Sequence, residues 1–432
     1  MTIIGSIIII LTALWANGYL NITITETIYV LYVISFVALA FLIGKMLFFF
    51  FFSLKHYNEY KNPPMINLTS GPSVTAILPC YNEALTIENA AKSMMGQSYK
   101  NLEVLIVSDG STDNTNVIGK KLADKYGPKL KFIEKPNGGK ASALNVGITH
   151  AKGEIVICMD ADSVFGKDTV AYLASSFNDP NVVGVAGNIK VSNSCNFWTR
   201  SQRVEWATGL QLQQRAFSEL GCMQVITGAV GAFRKSALLE IGGYSSDTIV
   251  EDMDLTVTLQ RHKGAKVLFN PWAIAKTEAP ESFKDFYKQR YRWTYGRYQI
   301  LKKHKDMLFN PEFGLMGMFG LPYYLLTPLL NAGTAILFVF VIVLAAATNS
   351  LPIAVLYIGL AASVTIALGL YAVYIDNNHD NYKLSLYGVI QNMWYMFIIT
   401  YIDFKAWFDH AIGIKTKWNK VARYGKNTIS VS

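Results

Sequence analysis

An α/β domain built on a mostly parallel sheet and set between membrane helices is the fold class that three observations predict. Short apolar runs alternate with helical patterns between residues 74 and 159. Polar and acidic residues follow the ends of those runs. Long uncharged apolar stretches flank the whole segment. Strand–helix alternation at this spacing predicts a mostly parallel sheet with helices on both faces. The overall balance agrees: 51% of the 432 residues are hydrophobic and 16% charged, a charge fraction low for a soluble chain and expected where spans are present.

Residues 3–20 and 28–52 are apolar, the second stretch carrying only Lys45. Both read as membrane spans, since no basic segment precedes the first and no small-residue cleavage site follows it. The link between them holds Asn21-Ile22-Thr23, a glycosylation acceptor only if it faces outside. In the soluble segment, strands are expected at 74–79, 102–108, 130–135 and 154–159. Helices are expected at 84–95, 114–126 and 141–150. From 313 to 375 there is no Lys, Arg, Asp or Glu, enough chain for two crossings with a break near Asn349 to Pro352.

Basic residues set the orientation. None precedes Lys45, whereas Lys55, Lys61, Lys302, Lys303 and Lys305 bracket the soluble segment, which is therefore expected in the cytoplasm. Lys415, Lys417, Lys420, Arg423 and Lys426 place the tail there too. A single crossing by the uncharged stretch 384–402 would put that tail outside, so 384–410 is expected to form a re-entrant or interfacial helical hairpin. The expected division is spans in 1–53, a cytoplasmic domain in 54–280, amphipathic interface helices in 281–312, two spans in 313–375, and further membrane or interfacial helices with a basic tail in 376–432.

The net charge of +9 comes without a compact Lys/Arg block, which disfavours nucleic acid and favours anionic lipid and a diphosphate ligand. Cys80, Cys158, Cys195 and Cys222 lack metal-site spacing, and three of them lie on apolar or strand-like runs, which suits buried free thiols in a reducing compartment.

Ligands of parallel sheets sit beyond the carboxyl ends of the strands, so the residues just past each strand matter most. Tyr81 and Glu83 come after the first. Asp109 ends the second before a Gly turn, and Asp113 either joins it or caps the next helix. Asp160 and Asp162 come after the run EIVICM; two carboxylates two residues apart can converge, and they suit Mg2+ or Mn2+ against a diphosphate. Lys140 comes after Asn137-Gly138-Gly139 at a helix start, a place for contact with phosphate. Glu251 and Asp252 open another helix, where one can serve the dipole or act as a general base. Gln289, Arg292 and Trp293 lie in an aromatic, basic stretch before the third span; Arg suits a diphosphate and Trp a sugar ring.

Taken in order, Asp109, Asp160-Ala161-Asp162, Glu251-Asp252 and Gln289-Arg290-Tyr291-Arg292-Trp293 resemble the D, DxD, ED and QxxRW motifs of processive family 2 glycosyltransferases. These include the cellulose, chitin, hyaluronan and poly-N-acetylglucosamine synthases. The resemblance covers about 72–305. It implies a glycosyltransferase A-type, nucleotide-sugar-binding domain that polymerises a β-linked polysaccharide at the cell membrane. It also implies roles: Tyr81, Glu83 and Asp109 for uracil and ribose, Lys140 for the nucleotide, and Asp160 and Asp162 for the metal-bound diphosphate, Asp162 the more direct ligand. Gln289 and Arg292 would contact the diphosphate and Asp252 would be the base. Thr227, Gly228, Glu251 and Trp293 would meet the acceptor. The expected partners are a UDP-sugar, with N-acetylglucosamine or glucose as the sugar, the growing polymer, membrane lipid and an accessory membrane subunit. Two departures stand out: Val250 occupies a position where the family often has Thr, and Thr294-Tyr295-Gly296 comes after the Trp. Transfer of one sugar to a lipid, or a nucleotide-binding transporter, are the competing readings. The latter is disfavoured by the absence of acids in 313–375.

Overall fold

The computed structural model describes residues 24–66, 68–69, 71–376, 382–416 and 424–425. The stretch 3–20, expected as the first span, lies outside these residues.

The chain enters through helix α1 (Ile24–Glu59), which runs several residues beyond the expected limit at 53. Then the alternation begins: β1 (Val74–Cys80), α2 (Ile87–Met95), β2 (Leu102–Asp109), α3 (Thr115–Tyr126), β3 (Leu130–Lys135), α4 (Lys140–His150) and β4 (Ile155–Cys158). Each of these elements falls within about three residues of its expected place. All seven residues of β1 and all four of β4 are buried, as strands covered on both faces must be. Next come β5 (Ser163–Phe165), α5 (Thr169–Ser175), β6 (Val182–Val191), α6 (Phe197–Glu205), a π turn at Trp206–Leu210, α7 (Gln211–Glu219), β7 (Gly231–Arg234), α8 (Lys235–Glu240), α9 (Glu251–Leu259) and β8 (Lys266–Thr277).

The eight strands form one mixed sheet in the order β3-β2-β1-β4-β7-β6-β8-β5. Strands β3, β2, β1 and β4 are parallel, so the strand order reverses at β1 and opens a crevice beside β4. Strand β7 is antiparallel to β4, with Gly231 opposite Cys158. This one reversal carries the loop before β7 to the carboxyl end of β4. This is the glycosyltransferase A-type fold that the resemblance implied.

Beyond the sheet, α10 (Phe283–Lys303) leads to α11 (Leu321–Ala347), α12 (Leu351–Ile375) and α13 (Tyr382–Ala411). Among the described residues three helices are long and apolar enough to cross a membrane: 28–59, 316–347 and 351–375. The break between the last two falls where the sequence placed it. The expected hairpin over 384–410 is not found, because α13 is one continuous helix. No Pro or Gly interrupts 389–411, so nothing in the chain disrupts the helical ladder there. Helix α13 packs on α6 and α10 of the domain and on the apolar helices α11 and α12, with Asn331 of α11 donating to Asp403 at 3.1 Å. Gln391 donates to the Ser201 carbonyl of α6 at 3.0 Å, and Asp409 accepts from the Tyr291 hydroxyl of α10 at 2.7 Å.

Buried polar contacts fasten the span ends to the sheet. Arg215 of α7 donates to the Ile375 carbonyl at the end of α12 at 3.2 Å, and Lys190 of β6 pairs with Asp376 at 3.1 Å. His56 of α1 meets the Phe269 carbonyl of β8 at 3.1 Å. Such groups, taken out of water, must be paired, so they fix the domain relative to α1 and α12 together.

Candidate active site

The site grows from the crevice between β1 and β4. Asp109, at the end of β2, is 3% exposed. Its carboxylate accepts from the backbone N–H of Gly138 at 2.9 Å and of Gly139 at 2.7 Å, and from the Lys135 ammonium. Asp109 thereby shapes the turn from which α4 starts. Gly139 has φ +87°, a value that glycine adopts without strain. The next residue is Lys140, whose ammonium reaches Asp160 at 2.6 Å and Glu251 at 3.3 Å.

The loop before β7 closes the circle. Asp160 donates its backbone N–H to the Gly228 carbonyl at 3.0 Å, and the Gly228 N–H donates to the Asp252 carboxylate at 3.3 Å. A Cβ on Gly228 would lie 2.5 Å from the Lys140 ammonium and 3.2 Å from an Asp160 oxygen, so a side chain there would have to displace the ammonium from its place in the cluster. Lys140, Asp160, Gly228, Glu251 and Asp252 thus form one contiguous cluster, drawn from 113 positions of sequence.

Charge follows from this crowding. Burial pushes the Asp252 carboxyl above the usual range and Glu251 adds to the rise, while Lys140 and Arg292 pull it back. Burial alone would lower the Lys140 ammonium. The fields of Asp160, Glu251 and Asp252 outweigh burial and raise it.

Helix α10 brings in the remaining residues. Its docking stripe has helical spacing, at Gly296, Gln299, Lys303 and His304. Gln299 accepts from the Ile249 N–H at 3.0 Å, while Lys303 and His304 hold Asp254 at 2.7 and 2.9 Å. Gly296 sits against Val250: a Cβ would fall 2.4 Å from its Cγ2. Gly296→Ala should therefore push α10 away from α9. The overpacking costs about 1–3 kcal/mol, only partly offset by alanine's better helix propensity. A lower melting temperature and lower activity, both recovered by adding Val250→Ala, would be the measured result.

On this helix Arg292 lies within the electrostatic reach of Asp252. Gln289 is buried, and its Oε1 meets no hydrogen-bond partner among the described residues; the same holds for the Thr227 hydroxyl. A buried polar atom left unpaired costs about 1–3 kcal/mol, so these two, Thr227 directly before Gly228 in the cluster, mark places suited to ligand groups. Trp293 packs against the core with the Arg290 guanidinium 4.4 Å from its ring centre.

Asp160 and Asp162 keep different neighbours in this structure, Asp160 meeting the Lys140 ammonium at 2.6 Å. Strand β4 ends at Cys158, and residues 160–163 turn, with the Ser163 N–H on the Asp160 carbonyl at 2.9 Å. Alternation of side chains stops where the strand stops. Asp162 is buried beside the hydroxyls of Ser163 and Thr277, at 3.3 and 3.4 Å. Among the described residues no three His, Cys, Asp or Glu side chains could hold a metal together. The donor set is nevertheless all oxygen and incomplete, which fits Mg2+ or Mn2+ sharing its coordination with an anionic ligand. Asp113 is a turn residue: its carboxylate accepts from Thr115 N–H at 2.9 Å and Ala84 N–H at 3.2 Å. Tyr81 and Glu83 lie just past β1; the Glu83 N–H donates to Thr115 and its carboxylate accepts from Thr86 at 2.9 Å.

One residue that no motif marks also lines the crevice. Tyr244 is buried beside Cys158 and the Glu251–Asp252 pair, and burial pushes the Cys158 thiol up to about 12. The Tyr244 N–H donates to Asn145 Oδ1 and its carbonyl accepts from Asn145 Nδ2, both at 2.8 Å. The Gly242-Gly243 pair before it was the available signal, since both glycines have positive φ.

Comparison with known proteins agrees with this arrangement. Residues 75–242 match the family model described as Glycosyl transferase family 2. The chain is 31% identical over 268 residues to a poly-beta-1,6-N-acetyl-D-glucosamine synthase of Staphylococcus aureus (strain COL), covering 62% of this chain and 64% of that protein. It is 32% identical over 230 residues to the synthase of the same name from Staphylococcus epidermidis, covering 53% and 55%. The alignments thus span less than two thirds of these relatives. A mannosyltransferase from Pyrobaculum calidifontis, solved in complex with GDP-Man and Mn2+, superposes with a TM-score of 0.56 at 25% identity, over 84% of this chain and 99% of that one. The crevice, the carboxylates at its rim and these likenesses together identify residues 75–242 as a family 2 glycosyltransferase domain.

Proposed function

We propose that the chain is a multi-pass membrane glycosyltransferase that extends a β-linked polymer of N-acetylglucosamine from UDP-N-acetylglucosamine on the cytoplasmic side. The observation that carries this reading is the cluster of Lys140, Asp160, Gly228, Glu251 and Asp252, placed at the start of a helix that itself begins beside Asp109. The names of the Staphylococcus relatives support the choice of sugar and of a polymeric product.

In this reading Tyr81, Glu83 and Asp109 line the nucleoside end of the crevice. Lys140, Gln289 and Arg292 face the diphosphate. Asp162, with Asp160, would hold a divalent cation, which when bound neutralises charge on the leaving diphosphate. Asp252 takes the proton of the acceptor hydroxyl. The oxygen forms a bond to the anomeric carbon as the bond to phosphate breaks on the opposite face, and UDP leaves with the electron pair. Displacement from the opposite face converts an α-linked donor into a β-linked product. Thr227, Gly228 and Glu251 border the acceptor, and Trp293 offers a ring for its terminal sugar. Lipid covers the apolar faces of α1, α11 and α12. With α1, α11 and α12 crossing and α13 not crossing, both the domain and the basic tail stay cytoplasmic.

The test is incubation of isolated membranes with a panel of labelled UDP-sugars, with Mn2+ or Mg2+ and with a chelator. UDP-N-acetylglucosamine should yield long product cleaved by a β-1,6-specific glycosidase, and chelation should reduce product to background. A single sugar in the lipid extract, or no incorporation from any donor, would overturn the reading.

A further inference from the structure

We propose that Glu205 is a positioning residue for the acceptor, acting through Arg290 on the indole of Trp293; the inference rests on the reading of Trp293 as the acceptor's platform. Two arginines occur in the stretch Gln289 to Trp293. They stand two residues apart, hence about 200° apart around α10. Arg292 is near enough to Asp252 for its charge to act on that carboxyl. Arg290 is on another side and is 7% exposed. Its guanidinium lies between two rings, 5.2 Å from the centre of Phe286 and 4.4 Å from that of Trp293. One face of Trp293 is therefore already covered by a cation, and the acceptor sugar takes the other.

Two other helices hold Arg290 in that slot. Its Nη2 donates to Glu205 Oε2 at 2.6 Å, and the Tyr395 hydroxyl of α13 donates to the same oxygen at 2.5 Å. Its Nε meets no hydrogen-bond partner among the described residues. The buried guanidinium thus depends on one carboxylate and two ring faces. Glu205 is the last residue of α6, immediately before the π turn at Trp206–Leu210. Single π turns inside α-helices recur at functional sites, because the extra residue shifts the register of the next helical turns. Here the turn lets α6 end with its carboxylate on α10 while α7 continues toward Arg215 and the span ends. Without Glu205, a buried unpaired guanidinium has no reason to stay over the indole, and the ring loses the contact that fixes its plane.

The experiment uses the full-length protein in membranes, with UDP-N-acetylglucosamine and a β-1,6-linked N-acetylglucosamine oligosaccharide as acceptor. Glu205→Gln should raise the KM for the oligosaccharide roughly fivefold to thirtyfold, the range of a desolvated cation–ring contact, and shorten the product. The KM for the donor should stay within about twofold. Arg290→Lys, which keeps the charge but loses the flat stacking group, should show the same split, and the double variant should be no worse than either. If Glu205→Gln does not fold, Arg290→Lys carries the test alone. Wild-type oligosaccharide KM and product length in the folded variants would overturn the proposal, as would donor and acceptor KM rising together. Failure of the underlying functional reading looks different: the unaltered protein would then make no polymer at all.

Discussion

Asp252→Asn should lower transfer by roughly three orders of magnitude, the range expected for losing a general base, while donor affinity stays within about twofold. The two effects should separate because the Asp252 carboxylate accepts from the Gly228 N–H, whereas Lys140 forms its ion pairs with Asp160 and Glu251. Donor binding can be read by calorimetry with UDP, and transfer by incorporation of label. A variant that loses donor binding in proportion to activity would refute the assignment. The pH dependence carries a second sign. Burial first, and Glu251 next, raise the Asp252 carboxyl above its ordinary range. The acid limb of kcat/KM should therefore lie at higher pH than for an ordinary carboxylate, and vanish in the Asn variant. A carboxyl raised on folding contributes stability below its unfolded value and loses it as pH climbs through the folded value. At neutral pH the ionised group is thus a cost. Asp252→Asn should melt at or above the temperature of the unaltered protein there, with the advantage shrinking in acid. An inactive but more stable variant is the expected signature of a group kept for chemistry.

The parallel half of the sheet was legible because its strands are apolar on both faces and end in polar turns. Asp109, Asp160 and Lys140 could be placed at a crevice before any coordinates. The antiparallel half was not. Strand β7 is four residues long and inserts between β4 and β6 from far along the chain. No local pattern announces that its leading loop will lie opposite Asp160, so Gly228 could be singled out only through resemblance. The different surroundings of Asp160 and Asp162 were not legible for a local reason: the strand's alternation stops at Cys158, before either residue. Glu205 was invisible because it belongs to no motif and its partners, Arg290 and Tyr395, lie 85 and 190 residues away. Helix α13 shows the converse. Charge bias argued for a hairpin, but 389–411 holds no Pro or Gly to break the helix.

Lys140→Met is the prediction that tests the cluster as a unit. The Lys140 ammonium is the cation shared by Asp160 and Glu251, and its field also acts on Asp252. Its removal leaves carboxylates crowded around Gly228 without the ammonium that joins them, and Arg292 remains as a cation acting on Asp252. Breaking a well-buried pair costs about 3–5 kcal/mol. Because 27% of the Lys140 side chain is exposed, we expect about 2 kcal/mol, lowering the melting temperature by several degrees. The loss should be even across neutral pH. A lysine raised on folding contributes its full stability below the unfolded value, and that contribution fades only in alkali, as pH rises through the folded value. Without the ammonium, Asp252 should titrate higher still, so the acid limb of activity should move to higher pH, opposite to the change in Asp252→Asn, where it disappears. Combining the two substitutions should cost less stability than Lys140→Met alone, because one of the uncompensated charges is gone. Strict additivity would mean that Lys140 and Asp252 do not share one electrostatic site, and the assignment of base and anion-binding lysine to a single reaction centre would fail with it.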